Sequence, residues 1–150
     1  MIYDHKYKRI LIIIDKIWSL NPVEPAYHNI TESGWSSSKT AAVVDQNLYV
    51  VAANFWQVNL TQKDSYVNLI ENFALPKAIV SLGNYLYGFC DGQILLIDCE
   101  FLSVTEIQSL YDSKFGTDSP IIKNGVVSSR QFKIFHGLHE SGDLVQYIFS

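Results

Sequence analysis

The chain has 150 residues, 48% of them apolar and 13% aromatic but only 17% charged, against roughly 25% in an average soluble domain. Fifteen acids against eleven bases leave a net charge of −4, which argues against nucleic acid or an anionic membrane as partner; the aromatic content excludes a disordered chain, a collagen and a coiled coil. The length allows one domain of ordinary size or two cramped ones, able to bury roughly 68–70% of the unfolded surface without disulfides or metal.

Along the chain, a basic cluster (His5, Lys6, Lys8, Arg9) leads into the apolar run of residues 10–14, which Asp15 and Lys16 cut short. Such a run is shorter than the ~7–15 apolar residues of a secretory signal, and nothing approaches the ~18–20 of a membrane span. A cytoplasmic protein without a membrane partner is therefore expected. Residues 10–14 read as a strand, and Ile17-Trp18 opens the next one. Trp35 follows Glu32-Ser33-Gly34 in a loop that enters a new unit. The clearest unit then shows strands at Thr40–Val44, 48–52, 55–60 and 66–70, separated by Asp45-Gln46-Asn47, Ala53-Asn54 and residues 61–65. Residues 71–75 are too short for a helix. Strands follow at 86–90 and 94–98, while residues 105–111 suit either two helical turns or an outer strand. Fainter strands lie around 132–135 and 142–145. The two cysteines, Cys90 and Cys99, are expected as reduced thiols, since two are too few for a disulfide framework.

These strands repeat. A shift of 38 positions sets Ile10-Leu11-Ile12-Ile13 on Leu48-Tyr49-Val50-Val51, Ile17-Trp18 on Phe55-Trp56, and Asn21 on Asn59. A second shift sets Leu48-Tyr49 on Leu86-Tyr87, and one inserted residue carries Asn59 to Asp98. The second strand of each copy is apolar or small at nearly every position, the mark of a strand covered on both faces. Antiparallel strands joined by short turns cannot form a parallel sheet, so the cover must be further sheets. The expectation is an all-β, β-propeller-like array of about four small four-stranded antiparallel blades, at 1–34, 35–72, 73–117 and 118–150, forming one repeat domain. Three good copies and one partial copy leave either four small blades that close a ring or, as favoured here, an incomplete ring completed by self-association or another subunit. A two-sheet sandwich is the alternative, but it predicts cleaner alternation.

The segment from Leu75-Pro76-Lys77 through the apolar strand to Gly83-Asn84-Tyr85-Leu86-Tyr87-Gly88-Phe89 resembles the join between two kelch repeats, and residues 38–51 follow the same plan. Phe55-Trp56-Gln57-Val58-Asn59-Leu60-Thr61, then Tyr66, is similar to the rest of a kelch copy. The likeness covers about residues 8–112. The kelch glycine doublet is replaced by Ala52-Ala53 and Cys90-Asp91, and its last-strand tryptophan by Tyr27 and Tyr66. Leu86 to Asp98 is also similar to quinoprotein-type propeller repeats. The resemblance implies a non-enzymatic protein-interaction module that binds through loops at one end and through an open blade edge.

Loops between second and third strands are the expected contact points: Asp15 and Lys16, Asn54, Asp91, and the segment holding His139 and Glu140. Trp18 and Trp56 are expected to fill wedges between blades. Trp35 is the tryptophan placed for exposure, and its ring supports a second reading, a small carbohydrate-binding propeller lectin. His136, His139 and Glu140 resemble metal ligands, but the spacing does not suit a helical zinc motif, so a solvated turn is expected there. Asp98, Glu100 and Glu106 qualify as acids by type alone. With no nucleophile–base pairing and no phosphate-binding glycine loop, the expectation is no catalytic residue, no metal and no cofactor.

Overall fold

A computed structural model of the protein describes residues 1–24, 26–69, 75–90, 93–109, 122–129, 134–139 and 144–148. Among these there are strands and no helix, and hence no helix able to cross a membrane. The chain divides into two compact units, Met1–Asn72 and Phe73–Ser150.

The first unit holds β1 (Ile2–Asp4), β2 (Arg9–Ile13), β3 (Ile17–Asn21) and β4 (Ala26–Thr31) in one antiparallel sheet. A second sheet holds β5 (Thr40–Val44), β6 (Asn47–Val51), β7 (Phe55–Asn59) and β8 (Tyr66–Asn68). Each sheet is a meander whose strands pair in chain order. The two sheets share one core, in which Leu11, Ile17 and Ile30 of the first meet Leu48, Val50 and Val58 of the second, with Trp35 from the link between them. Tyr49 and Val51, on the opposite face of β6, are also fully buried. Complete burial of such side chains stabilises by roughly 1.5–3 kcal/mol each. The two-sided burial predicted for the second strand therefore holds in β6. It holds less well in β2, where Leu11 is buried, its strand neighbours are half-buried, and Ile14 just beyond is 58% exposed.

The second unit holds β9 (Ala78–Leu82), β10 (Tyr85–Cys90), β11 (Gln93–Asp98) and β12 (Ser103–Ser109) in a third meander. A three-stranded sheet follows: β13 (Ile122–Ser129), β14 (Ile134–His139) and β15 (Leu144–Ile148). Ala78, Val80, Tyr87, Phe89 and Ile94 form the core cluster of the third meander, and all of β10 after Tyr85 is buried. The ambiguous stretch 105–111 is outer strand as far as Ser109. The last copy corrects the expected four-stranded blade: among the described residues it has three strands, of which β13 was not foreseen, and β14 runs on through His139, which shortens the expected loop.

The repeat reappears in hydrogen bonds. The turn after β2 is closed by Ile14 N–H donating to Lys16 O (3.0 Å), and the turn after β6 by Ala52 N–H to Asn54 O (2.8 Å), 38 positions on. Lys39 N–H to Val51 O recurs as Lys77 N–H to Phe89 O, both 2.8 Å. Leu60 N–H to Gln46 O recurs, with the inserted residue, as Cys99 N–H to Asn84 O. At the end of the third strand of the first three copies a short acceptor side chain caps the turn. Asn21 Oδ1 accepts from Val23 and Glu24 N–H, Asn59 Oδ1 from Thr61 N–H, and Asp98 Oδ1 from Glu100 and Phe101 N–H. Such turns use short polar side chains because they hydrogen-bond the backbone two or three residues ahead. Asp98 thus serves as a turn acceptor.

Candidate functional site

The β2–β3 turn, the β4–β5 link and the β6–β7 turn of the first unit come together, and the sequence dictates how. Asp15 in the first turn accepts twice from the link: its backbone oxygen from Trp35 N–H (3.1 Å), its carboxylate from Gly34 N–H (3.4 Å). Gly34 sits at φ +99°, a conformation that residues with a Cβ rarely adopt. The link then turns inward, and Trp35 O accepts from Ser38 N–H and from its hydroxyl (2.6 Å). Trp35 is carried into the core.

This corrects the expectation that Trp35 is the exposed tryptophan. It is only 4% exposed, whereas Trp18 and Trp56, expected to fill wedges, are half-buried. The loop position suggested exposure, but hydrogen bonds to the neighbouring copy fold the loop back. Trp35, Trp56 and Tyr66 form a triad in which every pair of rings meets edge to face. The centroids are 6.0 Å apart for Trp35–Trp56, 5.5 Å for Trp35–Tyr66 and 5.8 Å for Trp56–Tyr66, with interplanar angles of 78–88°. Aromatic pairs of this kind add about 0.5–1.5 kcal/mol beyond the area they bury.

A cavity of about 260 Å³ opens beside the triad, lined by Ser33, Gly34, Trp35, Ser37, Trp56, Tyr66 and the β6–β7 turn residues Ala52, Ala53 and Asn54. No charged side chain lines it. The nearby charges are spent on one another: Glu32 accepts from Lys16 (3.3 Å) and pairs with Lys63 (2.5 Å), while its N–H donates to Asp64 (3.0 Å). Lys63 first and Lys16 second hold the Glu32 carboxyl below its usual range. The Trp35 indole Nε1 is itself buried without an acceptor.

Of the expected contact residues, Asp15, Lys16, Trp35 and Asn54 therefore gather at one end of the first unit. Trp35 and Asn54 line the cavity, Asp15 positions its rim, and Lys16 belongs to the charge network beside it. His139 lies in the backbone of β14, in the other unit. Asp91 and Glu140 lie outside the described residues, so the His136–His139–Glu140 constellation is only partly described. Among the described residues no group of histidine, cysteine or acidic side chains is placed to hold a metal. Trp56 and Tyr66 were not singled out as contact residues. The available signal was Tyr66 standing where the kelch pattern has its last-strand tryptophan.

No protein-family model matches the sequence, and no curated protein does. Solved structures match almost the whole chain. The N-terminal domain of Nup159 is 9% identical, with a TM-score of 0.57, covering 98% of this chain and 42% of that one. The extracellular domain of the putative hybrid two-component system BT4673 from B. thetaiotaomicron is 10% identical, with a TM-score of 0.57, covering 97% and 19%. A chain of the S. cerevisiae complex of Dbp5 with Nup159 and Gle1 is 8% identical, with a TM-score of 0.61, covering 98% and 42%. The chain thus spans less than half the length of each. These neighbours are β-propeller-type domains, and the likeness fixes the fold: the protein is all-β, built in the propeller manner from antiparallel sheets, three of four strands and one of three among the described residues.

Proposed function

We propose that the protein is a non-enzymatic, cytoplasmic protein-interaction module of the kelch or related propeller kind. It binds partners through the end of the first unit where the β2–β3 turn, the β4–β5 link and the β6–β7 turn meet, and through an open sheet edge. The observation that carries this reading is the gathering of Asp15, Lys16, Trp35 and Asn54 around one solvent-open cavity. Propeller-type domains often serve protein interaction, and a structural neighbour is a chain of a Dbp5–Nup159–Gle1 complex. A photo-crosslinking residue placed at Asn54 tests it, with Gln62, an exposed residue of the β7–β8 turn, as the control position. A discrete crosslinked partner at position 54 but not at 62 is expected; the same products at both positions, or none, refutes the proposal. The edge contact predicts association, so light scattering should show a mass above the monomer.

Small carbohydrates are a second reading. It is favoured by the Tyr66 ring, 45% exposed at the cavity, beside the serine hydroxyls and the Asn54 amide. Saturable binding of a simple sugar, lost in Tyr66→Ala, is the result it requires.

A further inference from the structure

We infer that the uncovered face of the first sheet docks a second copy of this chain, which seats a sheet of the same repeat on it. The inference rests on the protein-interaction reading above, names the partner, and places the contact on a sheet face rather than on an open edge.

The face follows from the register. Tyr3 pairs with Ile10, Ile10 with Leu20, Ile12 with Trp18, and Leu20 with Tyr27. Directly paired residues point to the same side of a sheet, so these six side chains form one apolar face across β1–β4. It is the side opposite Leu11 and Ile17, which enter the core shared with the second sheet. Ile10, Ile12, Trp18 and Leu20 are only half-buried, Tyr3 is 46% exposed and Tyr27 65% exposed. A contiguous apolar face left to water marks a place of association.

The repeat shows what covers such a face. Thirty-eight positions on, Ile10, Ile12 and Leu20 become Leu48, Val50 and Val58, all fully buried, and Trp18 becomes Trp56. In the second copy the cover is the preceding sheet. Its Leu11, Ile17 and Ile30 share one core with Leu48, Val50 and Val58, and Trp35 of the link packs on Trp56. In the third copy the equivalents Leu86 and Ile97 are buried again. Of the first three copies, therefore, only the first shows this face open, and the face is shaped to receive the opposite face of another sheet of the same repeat.

A second copy carries such a sheet. The receiving partners within its first three sheets are already engaged, since Leu11 and Ile17, Tyr49 and Phe55, and Phe89 and Ile94 are all buried. What it has left to offer is its last sheet, β13–β15, the next in the same series. Each copy then gives its last sheet and receives on its first, so two contacts of one kind close the pair about a two-fold axis. The pair holds eight sheets, twice the four of one chain, which falls within the ~4–8 blades of propeller rings.

The test follows the purified full chain through a dilution series by sedimentation and light scattering, with tryptophan emission as the local readout. A reversible dimer is expected, with a blue shift on association that Trp18→Phe removes. Tyr3→Lys combined with Tyr27→Lys, both at exposed positions so that the fold is spared, should weaken the dimer at least tenfold, because the contact would bury ammonium groups without partners. Circular dichroism should stay unchanged. Val67→Lys, exposed on β8 of the second sheet, should leave the dimer intact, and high salt should not dissociate it, since none of the six face residues is charged. Assembly that grows without limit past the dimer, or a dimer that Val67→Lys dissociates as readily, overturns the inference. A dimer that withstands the double substitution leaves association standing and the face wrong. A chain monomeric at every concentration, whose position 54 still crosslinks to a discrete partner, leaves the interaction reading without this contact; if the crosslink fails as well, both fall.

Discussion

Asp4 is buried to 4% exposure, and its carboxylate accepts from Lys6 N–H (3.1 Å), Tyr7 N–H (3.3 Å) and Arg9 Nε (2.8 Å). It therefore shapes the β1–β2 turn and neutralises a guanidinium whose side chain is only 15% exposed and whose Nη2 is already buried without a partner. Asp4→Ala removes two turn bonds and leaves that cation uncompensated, a change that costs about 3–5 kcal/mol. Arg9→Met is different: it deletes the orphaned donor, keeps an apolar stem, and leaves Asp4 its two backbone bonds. It loses the ion pair and the stacking of the guanidinium on Tyr7 (4.9 Å), and should cost only about 1–2 kcal/mol. The asymmetry sharpens in the double variant. Once the carboxylate is gone the unpaired arginine is the liability, so Asp4→Ala with Arg9→Met should be more stable than Asp4→Ala alone. All three tryptophans lie in Met1–Asn72, so urea unfolding followed by tryptophan emission reports on this unit alone. If Arg9→Met costs as much as Asp4→Ala, or the double variant is the weaker one, the account of this buried pair is wrong.

Other changes probe the rest of the fold. A Cβ at Gly88, in mid-β10, would stand 2.9 Å from Cγ of Pro76, whose ring cannot swing aside, so Gly88→Ala should cost about 1–3 kcal/mol by circular dichroism and recover in part with Pro76→Ala. Gly83 holds φ +61° in the β9–β10 turn; Gly83→Ala should lower stability by about 1 kcal/mol although the space around it is open. The hydrogen bond from Lys6 lowers the Asp45 carboxyl pKa, as Lys63 and Lys16 lower that of Glu32; both contributions are present above the ordinary values of 3.8 and 4.5 and are lost as pH falls through the depressed ones. The same contacts raise Lys6 and Lys63, so their share is complete below 10.5 and is lost at higher pH. These side chains are solvent-exposed, so the acid loss should be small, shrink with salt, and shrink further in Glu32→Gln.

The strand plan was legible because it rests on local chemistry repeated at a fixed spacing. Apolar runs at the second strand, and an Asn or Asp at the end of the third, each act through neighbours a few residues away. That is why Asn21, Asn59 and Asp98 build the same turn in three copies. Even the expected single insertion is visible, in the bond from Cys99 to Asn84 that matches Leu60 to Gln46. Burial was less legible. The runs in β2 and β6 look alike in sequence, yet β6 is covered on both faces while the strand neighbours of Leu11 stay half-exposed. Composition sets what a strand tolerates; its place in the stack of sheets sets what it receives.

The site was the least legible part, because it depends on where the repeat breaks. Lys16 and Asn54 are equivalent positions with equivalent backbone turns, but the residue beside each differs: Asp15 in the first copy, Ala53 in the second. Of these two, Asp15 offers a carboxylate to the N–H of the following link and Ala53 cannot. That bond, together with the backbone bond to Trp35 and the φ of +99° that Gly34 accepts, draws the link inward and places Trp35 against Trp56 and Tyr66. A rule that assigns loop tryptophans to solvent fails here because the decisive partner lies 20 positions upstream, in another copy of the repeat. Periodicity explains the scaffold. The cavity with its aromatic triad arises from Asp15 and Gly34, and a search for function in a chain of this kind should begin where one copy carries a polar residue and its equivalent does not.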